Sequence, residues 1–249
     1  MALEPWPALL AVLAGYLLGS ISFARIIAHL VAPTADISHI VEPVPRSSDV
    51  FQTDSVSATA VRIHVGTRYG CLTAILDMVK VALPTLVLRL WQPEQPYYLI
   101  VAAAGLVGHN WPIYHRFQGG RGESSIYGAL LVIDPLGVVV TNAVGALLGV
   151  VLGQLLVLRW AGMVLMIPWL WLRIGEWAPV LYMVFANAVY WVAMSPELRQ
   201  FFQLLGKGTD PSQEELAEFL GMGKRLGRFL DRYSAPALVG RLAGRKPKA

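Results

Sequence analysis

The run from Leu136 to Leu158 carries no charged side chain. At ~20 residues per crossing it is long enough to pass through a bilayer as a helix. Further apolar runs extend from Trp6 to about Ala32, from Tyr69 to Leu90 and from Tyr97 to about Tyr114. Two more, Trp160 to Leu172 and Trp177 to Met194, flank a turn at Arg173-Ile174-Gly175-Glu176, and a short one spans Ser125 to Ile133 before Asp134-Pro135. Only 14% of the 249 residues are charged and the mean hydropathy is +0.54, whereas soluble domains carry about 25% charged residues. The expectation is an all-α fold: a polytopic integral membrane helix bundle of about seven spans, with the N terminus outside and the C terminus cytoplasmic. Net charge +4 and pI near 9.3 then mark basic cytoplasmic loops and not nucleic-acid binding. Cys71 is the only cysteine, which excludes a cysteine-based zinc site and suits a small packing residue.

Polarity inside so apolar a chain is informative. The first span contains Gly15-Tyr16-Leu17-Leu18-Gly19-Ser20-Ile21-Ser22-Phe23, then Arg25 and His29. Gly15 and Gly19 form a small-residue face suited to close helix packing. Ser20 has two readings: a hydroxyl bonded back to its own helix, or a polar site group. Asp77 and Lys80 stand three apart in the second span and can pair. Ionisable groups in a span face a bundle interior or a wet cavity. Pro84 is expected to kink that helix.

Between two apolar runs lies Gly108-His109-Asn110-Trp111-Pro112, followed by Phe117-Gln118-Gly119-Gly120-Arg121-Gly122 and Glu123-Ser124-Ser125. Glycines let backbone N–H groups face an anion, Arg121 adds a planar cationic fork, and the next helix begins with its positive end beside the loop. A basic turn with glycines for the bend is the alternative.

The chain divides into a bundle, residues 1–195, and a cytoplasmic basic amphipathic tail, residues 196–249. Within the bundle, residues 33–66 form a long polar cytoplasmic loop with one short surface helix. In the tail, Gln213 to Phe219 reads as helical. Lys224 to Tyr233 places Leu226, Phe229, Leu230 and Tyr233 at helical spacing against basic residues, for docking on anionic lipid or on the protein's own loops.

These motifs resemble the bacterial membrane-embedded, acyl-phosphate-dependent glycerol-3-phosphate acyltransferases. Gly108 to Gly122 is similar to that family's G-H-x-x-P…F-K-G-G-K-G, Leu17 to Ile21 to its L-G-S-I-P, and Asp77…Lys80 to its D-x-x-K. The resemblance covers Trp6 to about Gly208. It implies transfer of a fatty acyl group from acyl phosphate to glycerol 3-phosphate, giving lysophosphatidate for phospholipid synthesis in a bacterial plasma membrane. No cofactor or metal is implied. The site residues implied are Ser20, Lys80 and His109 as catalytic groups. Gly119, Gly120, Arg121, Gly122 and Ser124 would bind phosphate, with Asp77 and Asn110 in support.

The chain also departs from the family. Asp36-Ile37 is followed by Ser38 where the family has arginine, Gln52 to Ala60 replaces a glycine-and-asparagine motif, and Glu197 to Phe201 lacks a late histidine and asparagine. Two phosphates would bring about three to four negative charges, so another cation is required. Arg46 is the favoured candidate over Arg62, Arg116 and Arg25. A divergent member that binds lipid or a partner protein without catalysis is the alternative reading.

Overall fold

The computed structural model describes residues 3–43, 50–206, 213–219 and 222–242. Arg46, and the Gly208-Thr209-Asp210 stretch, lie outside them. The elements are α1 (Pro5–Gly19), α2 (Phe23–Val31), β1 (Ile40–Pro43), β2 (Val50–Thr53), α3 (Ala58–His64), α4 (Thr67–Trp91), α5 (Tyr97–Asn110), a 3-10 turn (Ile113–His115), α6 (Glu123–Ile133), α7 (Pro135–Leu152), α8 (Leu155–Ile174), α9 (Trp177–Gly206), α10 (Gln213–Phe219), α11 (Lys224–Tyr233) and α12 (Ala235–Leu242). Among the described residues, five stretches are long and apolar enough to cross a membrane: Pro5–Val31, Thr67–Trp91, Pro135–Leu152, Leu155–Ile174 and Trp177–Leu204. Exposed Leu9, Leu13, Leu83, Val87, Leu147 and Leu181 give these stretches the apolar outer surface a lipid environment requires.

The fold is predominantly helical, not purely so. The segment expected to be a loop with one surface helix contains a two-stranded sheet, β1 with β2, and its helix is buried along one face. Ala60 and Val61 of α3 pack with Ala24, Ile27, Ala28, Ile37, Ile40 and Val56. Ser57 caps α3, its hydroxyl accepting from Ala60 N–H at 3.4 Å. Apolar residues spaced along a polar segment gave no span-length signal, yet they suffice to build this small core.

The first apolar run is not one helix. It breaks at Ser20-Ile21-Ser22 between α1 and α2. The Ser22 hydroxyl accepts from Arg25 N–H at 3.4 Å, capping α2. The Ile21 carbonyl is thereby left for another donor. Upstream of the break, α1 lies on α5 through the expected glycine face. A β carbon at Gly19 would come within 2.8 Å of Gly105 Cα, and one at Gly15 within 3.0 Å of Ala104 Cβ. Gly128 of α6 meets the backbone of Met78 on α4 in the same way. Cys71, expected to pack, is exposed on α4. Pro84 lies inside α4, which continues to Trp91.

The chain forms two compact units: Met1–Val41 with Gln52–Pro135 and Leu170–Leu198, and Glu42–Phe51 with Leu136–Trp169 and Arg199–Ala249. In the second, α7 and α8 are separated at Gly153 (φ +65°). The two apolar runs that Arg159 divides in the sequence therefore part earlier, at Gly153, and Arg159 is helical, because a left-handed residue ends a helix more sharply than a charge does. Leu230 of α11 is buried with Leu155, Leu216 and Ala217, so α11 packs on α10 and the start of α8 while Phe229 and Tyr233 stay exposed.

Gly19→Val should drive α1 off α5 and lower thermal stability by the equivalent of roughly 1–3 kcal/mol, the usual cost of overpacking. Leu17→Val on the exposed side should change it little. Melting curves of the detergent-solubilised protein compare the two.

Candidate active site

The break in the first apolar run positions the centre of the site. Lys80 Nζ donates to the freed Ile21 carbonyl at 2.7 Å and pairs with Asp77 Oδ1 at 2.8 Å. The Phe23 ring lies 5.9 Å from the ammonium. Both charged side chains are under 5% exposed. A charge so enclosed is tolerable only when paired and hydrogen-bonded, and this one has a carboxylate, a carbonyl and an aromatic face.

His109 Nδ1 approaches the same carboxylate oxygen, Asp77 Oδ1, at 3.6 Å. The other side of the imidazole is the floor of the glycine loop: a β carbon at Gly120 would lie within 3.0 Å of His109 Cε1. Gly120 N–H donates to the His109 carbonyl at 3.2 Å, and Val56 N–H donates to the Gly119 carbonyl at 3.0 Å. One loop N–H is therefore committed to the protein and unavailable to an anion. Gly122 has φ +88° and would place a β carbon 2.7 Å from Asn110 Oδ1, so only glycine fits there. The loop is reached through Arg116 (φ 51°) and Phe117 (φ 61°), a left-handed pair uncommon for such residues. It is held by Phe117 N–H to the Pro112 carbonyl and Gln118 N–H to the His115 carbonyl, each 3.0 Å.

Beyond the loop, α6 starts at Glu123, presenting its positive end. Its other end is capped by Arg89 Nη1, which donates to the Ile133 carbonyl at 3.0 Å. Ser125, not the half-buried Ser124, points inward: it is fully buried, and its hydroxyl has no hydrogen-bond partner among the described residues. Asn110 is 3% exposed, and both polar atoms of its side chain are equally unpartnered. Buried polar atoms are almost always satisfied, and these are not, among the described residues.

Ser20 is fully buried. Its hydroxyl donates to the Tyr16 carbonyl at 2.7 Å and accepts from Ile113 N–H at 3.4 Å. The back-bonded reading holds, and the hydroxyl also ties α1 to the segment before the glycine loop. Arg25 Nη2 donates to the Gln118 carbonyl at 3.3 Å, so among the described candidates it is Arg25 that reaches the segment leading into the loop. Arg62 backs Gly70 instead, and Arg116 is exposed. Arg121 turns to two residues that sequence reasoning missed. Its Nη2 meets Glu197 Oε1 and, at 3.4 Å, the Thr53 hydroxyl. Burial pushes its guanidinium down to about 10, against an upward pull from Asp54, so it stays charged at neutral pH. A glutamate in an apolar stretch was the signal for Glu197, obscured because the span was expected to stop at Met194.

A profile of glycerol-3-phosphate acyltransferases matches residues 9–203. The chain belongs to the glycerol-3-phosphate acyltransferase family. The family's enzyme from Syntrophotalea carbinolica is 34% identical over 139 residues, 55% of this chain and 64% of that one. The relative from Halalkalibacterium halodurans is 30% identical over 139 residues, 54% and 61% respectively. The matched region thus spans less than two thirds of either relative. The fold is shared with crystal structures of PlsY, an integral membrane glycerol 3-phosphate acyltransferase, in its glycerol 3-phosphate and lysophosphatidic acid forms. Their TM-scores are 0.64 and 0.63 at 22% and 21% identity, covering 82% of this chain and 94% of theirs. This family member is a multi-pass membrane protein.

Asp77→Asn should leave Lys80 buried without its counter-charge and cost about 3–5 kcal/mol of stability. Asp77→Asn with Lys80→Met should recover most of it. Unfolding in detergent micelles, followed by circular dichroism, measures both; equal stability of parent and single variant would place the pair in water.

Proposed function

We propose that this protein transfers a fatty acyl group from acyl phosphate to glycerol 3-phosphate, releasing lysophosphatidate and inorganic phosphate. The observation that carries this reading is the stacking of the glycine loop on His109 above the Lys80–Asp77 pair, with unpartnered Asn110 and Ser125 beside the start of α6. Such an arrangement suits a phosphate, which accepts several hydrogen bonds and needs positive potential.

In the step itself, the primary hydroxyl oxygen of the acceptor bonds to the acyl carbon. The carbon–oxygen bond to phosphate breaks with its electron pair going to phosphate, and the hydroxyl proton follows to a phosphate oxygen. Lys80, the N–H groups at the start of α6, Ser125 and Asn110 would stabilise charge on the leaving phosphate. His109 orients the loop. Ser20 fixes the segment leading to it. Holding two anions side by side lowers the barrier by proximity, which requires the second cation; Arg25, reaching Gln118, fills that role in place of Arg46. An apolar cavity of about 520 Å³, lined by Leu10, Ala14, Leu83, Val87, Val101 and by Leu18 two positions before Ser20 in the chain, suits the acyl chain. The N terminus would lie outside, the loop and tail on the cytoplasmic side of a bacterial plasma membrane.

A second reading, a lipid-binding member without catalysis, is favoured by one observation: the Arg121 charge is offset by Glu197.

Purified full-length protein with radiolabelled glycerol 3-phosphate and an acyl phosphate should yield labelled lysophosphatidate, and an acyl-CoA arm should not. Lys80→Met should lower kcat/KM by about 100-fold or more, as losses of oxyanion-stabilising groups do. No product from the parent under conditions that run the Syntrophotalea carbinolica enzyme would reject acyl transfer in favour of the lipid-binding reading.

A further inference from the structure

We propose that Arg121 and Glu197 form a clasp for a hydroxyl of the acyl acceptor that is not itself acylated. This rests on the acyl-transfer reading and names what part of the acceptor the site selects.

Glu197 is 7% exposed within the apolar stretch of α9. Its Oε1 receives both the Arg121 Nη2 donor and the Thr53 hydroxyl. Buried arginine–carboxylate pairs commonly engage two prongs. This pair uses one: Glu197 Oε2 and Arg121 Nε are enclosed with no hydrogen-bond partner among the described residues. One donor and one acceptor therefore stand unmet in the same pair. Each unmade hydrogen bond of that kind is unfavourable.

The chemistry of the occupant follows by elimination. The two charges cancel, and Asp54 adds negative potential at the guanidinium, so a phosphate at this point would meet a carboxylate without net attraction. A deprotonated phosphate only accepts, which leaves Glu197 Oε2 unmet and repelled. An ammonium only donates, which leaves Arg121 Nε unmet. A hydroxyl does both: its oxygen takes the Nε–H while its proton goes to Oε2. Arg121 sits inside the loop Gly119–Gly122. A small phosphorylated polyol could therefore place its phosphate at the α6 end of the site and a second hydroxyl in the clasp. Glu197 is on this account a specificity-determining residue, and Thr53 is the group that positions its carboxylate.

The test compares glycerol 3-phosphate with 3-hydroxypropyl phosphate, which keeps the phosphate and primary hydroxyl and lacks the second hydroxyl. In the parent, kcat/KM should favour glycerol 3-phosphate by roughly 30-fold or more, because a site built for a hydroxyl rejects the analogue without it. Glu197→Gln exchanges the free acceptor for a donor. It should shrink that preference to about threefold or less. An equal loss on both acceptors would assign Glu197 a structural role and overturn the clasp, as would a parent that does not discriminate. Thermal shifts by the two phosphates give a readout independent of turnover. A larger rise with glycerol 3-phosphate, erased in Glu197→Gln, upholds the clasp even if no acyl transfer is found, in which case only the reaction assignment falls. Equal rises in the parent overturn the clasp whether or not the reaction runs.

Discussion

The Lys80 ammonium and the carbonyl it reaches constrain everything around them. A cation enclosed among apolar helices must be met on several sides, and Lys80 is met by Asp77, by Phe23 and by the Ile21 carbonyl. The last of these exists only because the first apolar run breaks at Ser20-Ile21-Ser22. A continuous helix would have spent that carbonyl on its own N–H four residues on. The break thus joins α1, α2 and α4 at one point. The carboxylate that faces Lys80 also faces His109, and the His109 ring supports Gly120. A single buried charge thereby links a helix break, an ion pair and the shape of a loop distant in sequence.

Charge balance separates the two halves of the site. Lys80 is offset by Asp77 and Arg121 by Glu197. Arg25 bonds a neutral carbonyl at the loop. Two phosphates brought together need more positive potential than the paired residues retain, which gives weight to Arg25 and to the start of α6. The neutral Arg121–Glu197 pair instead offers directional hydrogen bonding without attraction for an anion. On this reading the site divides its work, with charge recognised on one side and a hydroxyl on the other.

Much of this was legible in the residues. The i, i+3 spacing of Asp77 and Lys80 foretold their pairing, and Gly15 with Gly19 foretold the close approach of α1 to α5. Gln213–Phe219 and Lys224–Tyr233 are helical as read, because amphipathic spacing is a local property. The turn at Arg173–Glu176 was equally local. What escaped is long-range. Nothing between Ser20 and Ser22 breaks a helix strongly; the competing donor for Ile21 lies 59 residues away. Thr53 and Glu197 find Arg121 across separations of 68 and 76 residues, which no periodicity encodes. The two-stranded sheet and the buried face of α3 escaped because their apolar residues are scattered through a polar segment. Ser125 was passed over for Ser124 because burial on the first turn of α6 is decided by the helices it meets.

On the proposed reading, the glycine loop, seated on the His109 ring, makes a phosphate site with Lys80. Equilibrium binding of radiolabelled inorganic phosphate to the detergent-solubilised protein tests it most directly, comparing the parent with Gly120→Ala. The alanine β carbon would press on the imidazole and lift the loop, while the helices remain folded by circular dichroism. Saturable binding in the parent, weakened about tenfold or more in Gly120→Ala, is the predicted result; a tenfold loss corresponds to about 1.4 kcal/mol. Equal affinity in the two proteins, or no binding in the parent, would contradict the account.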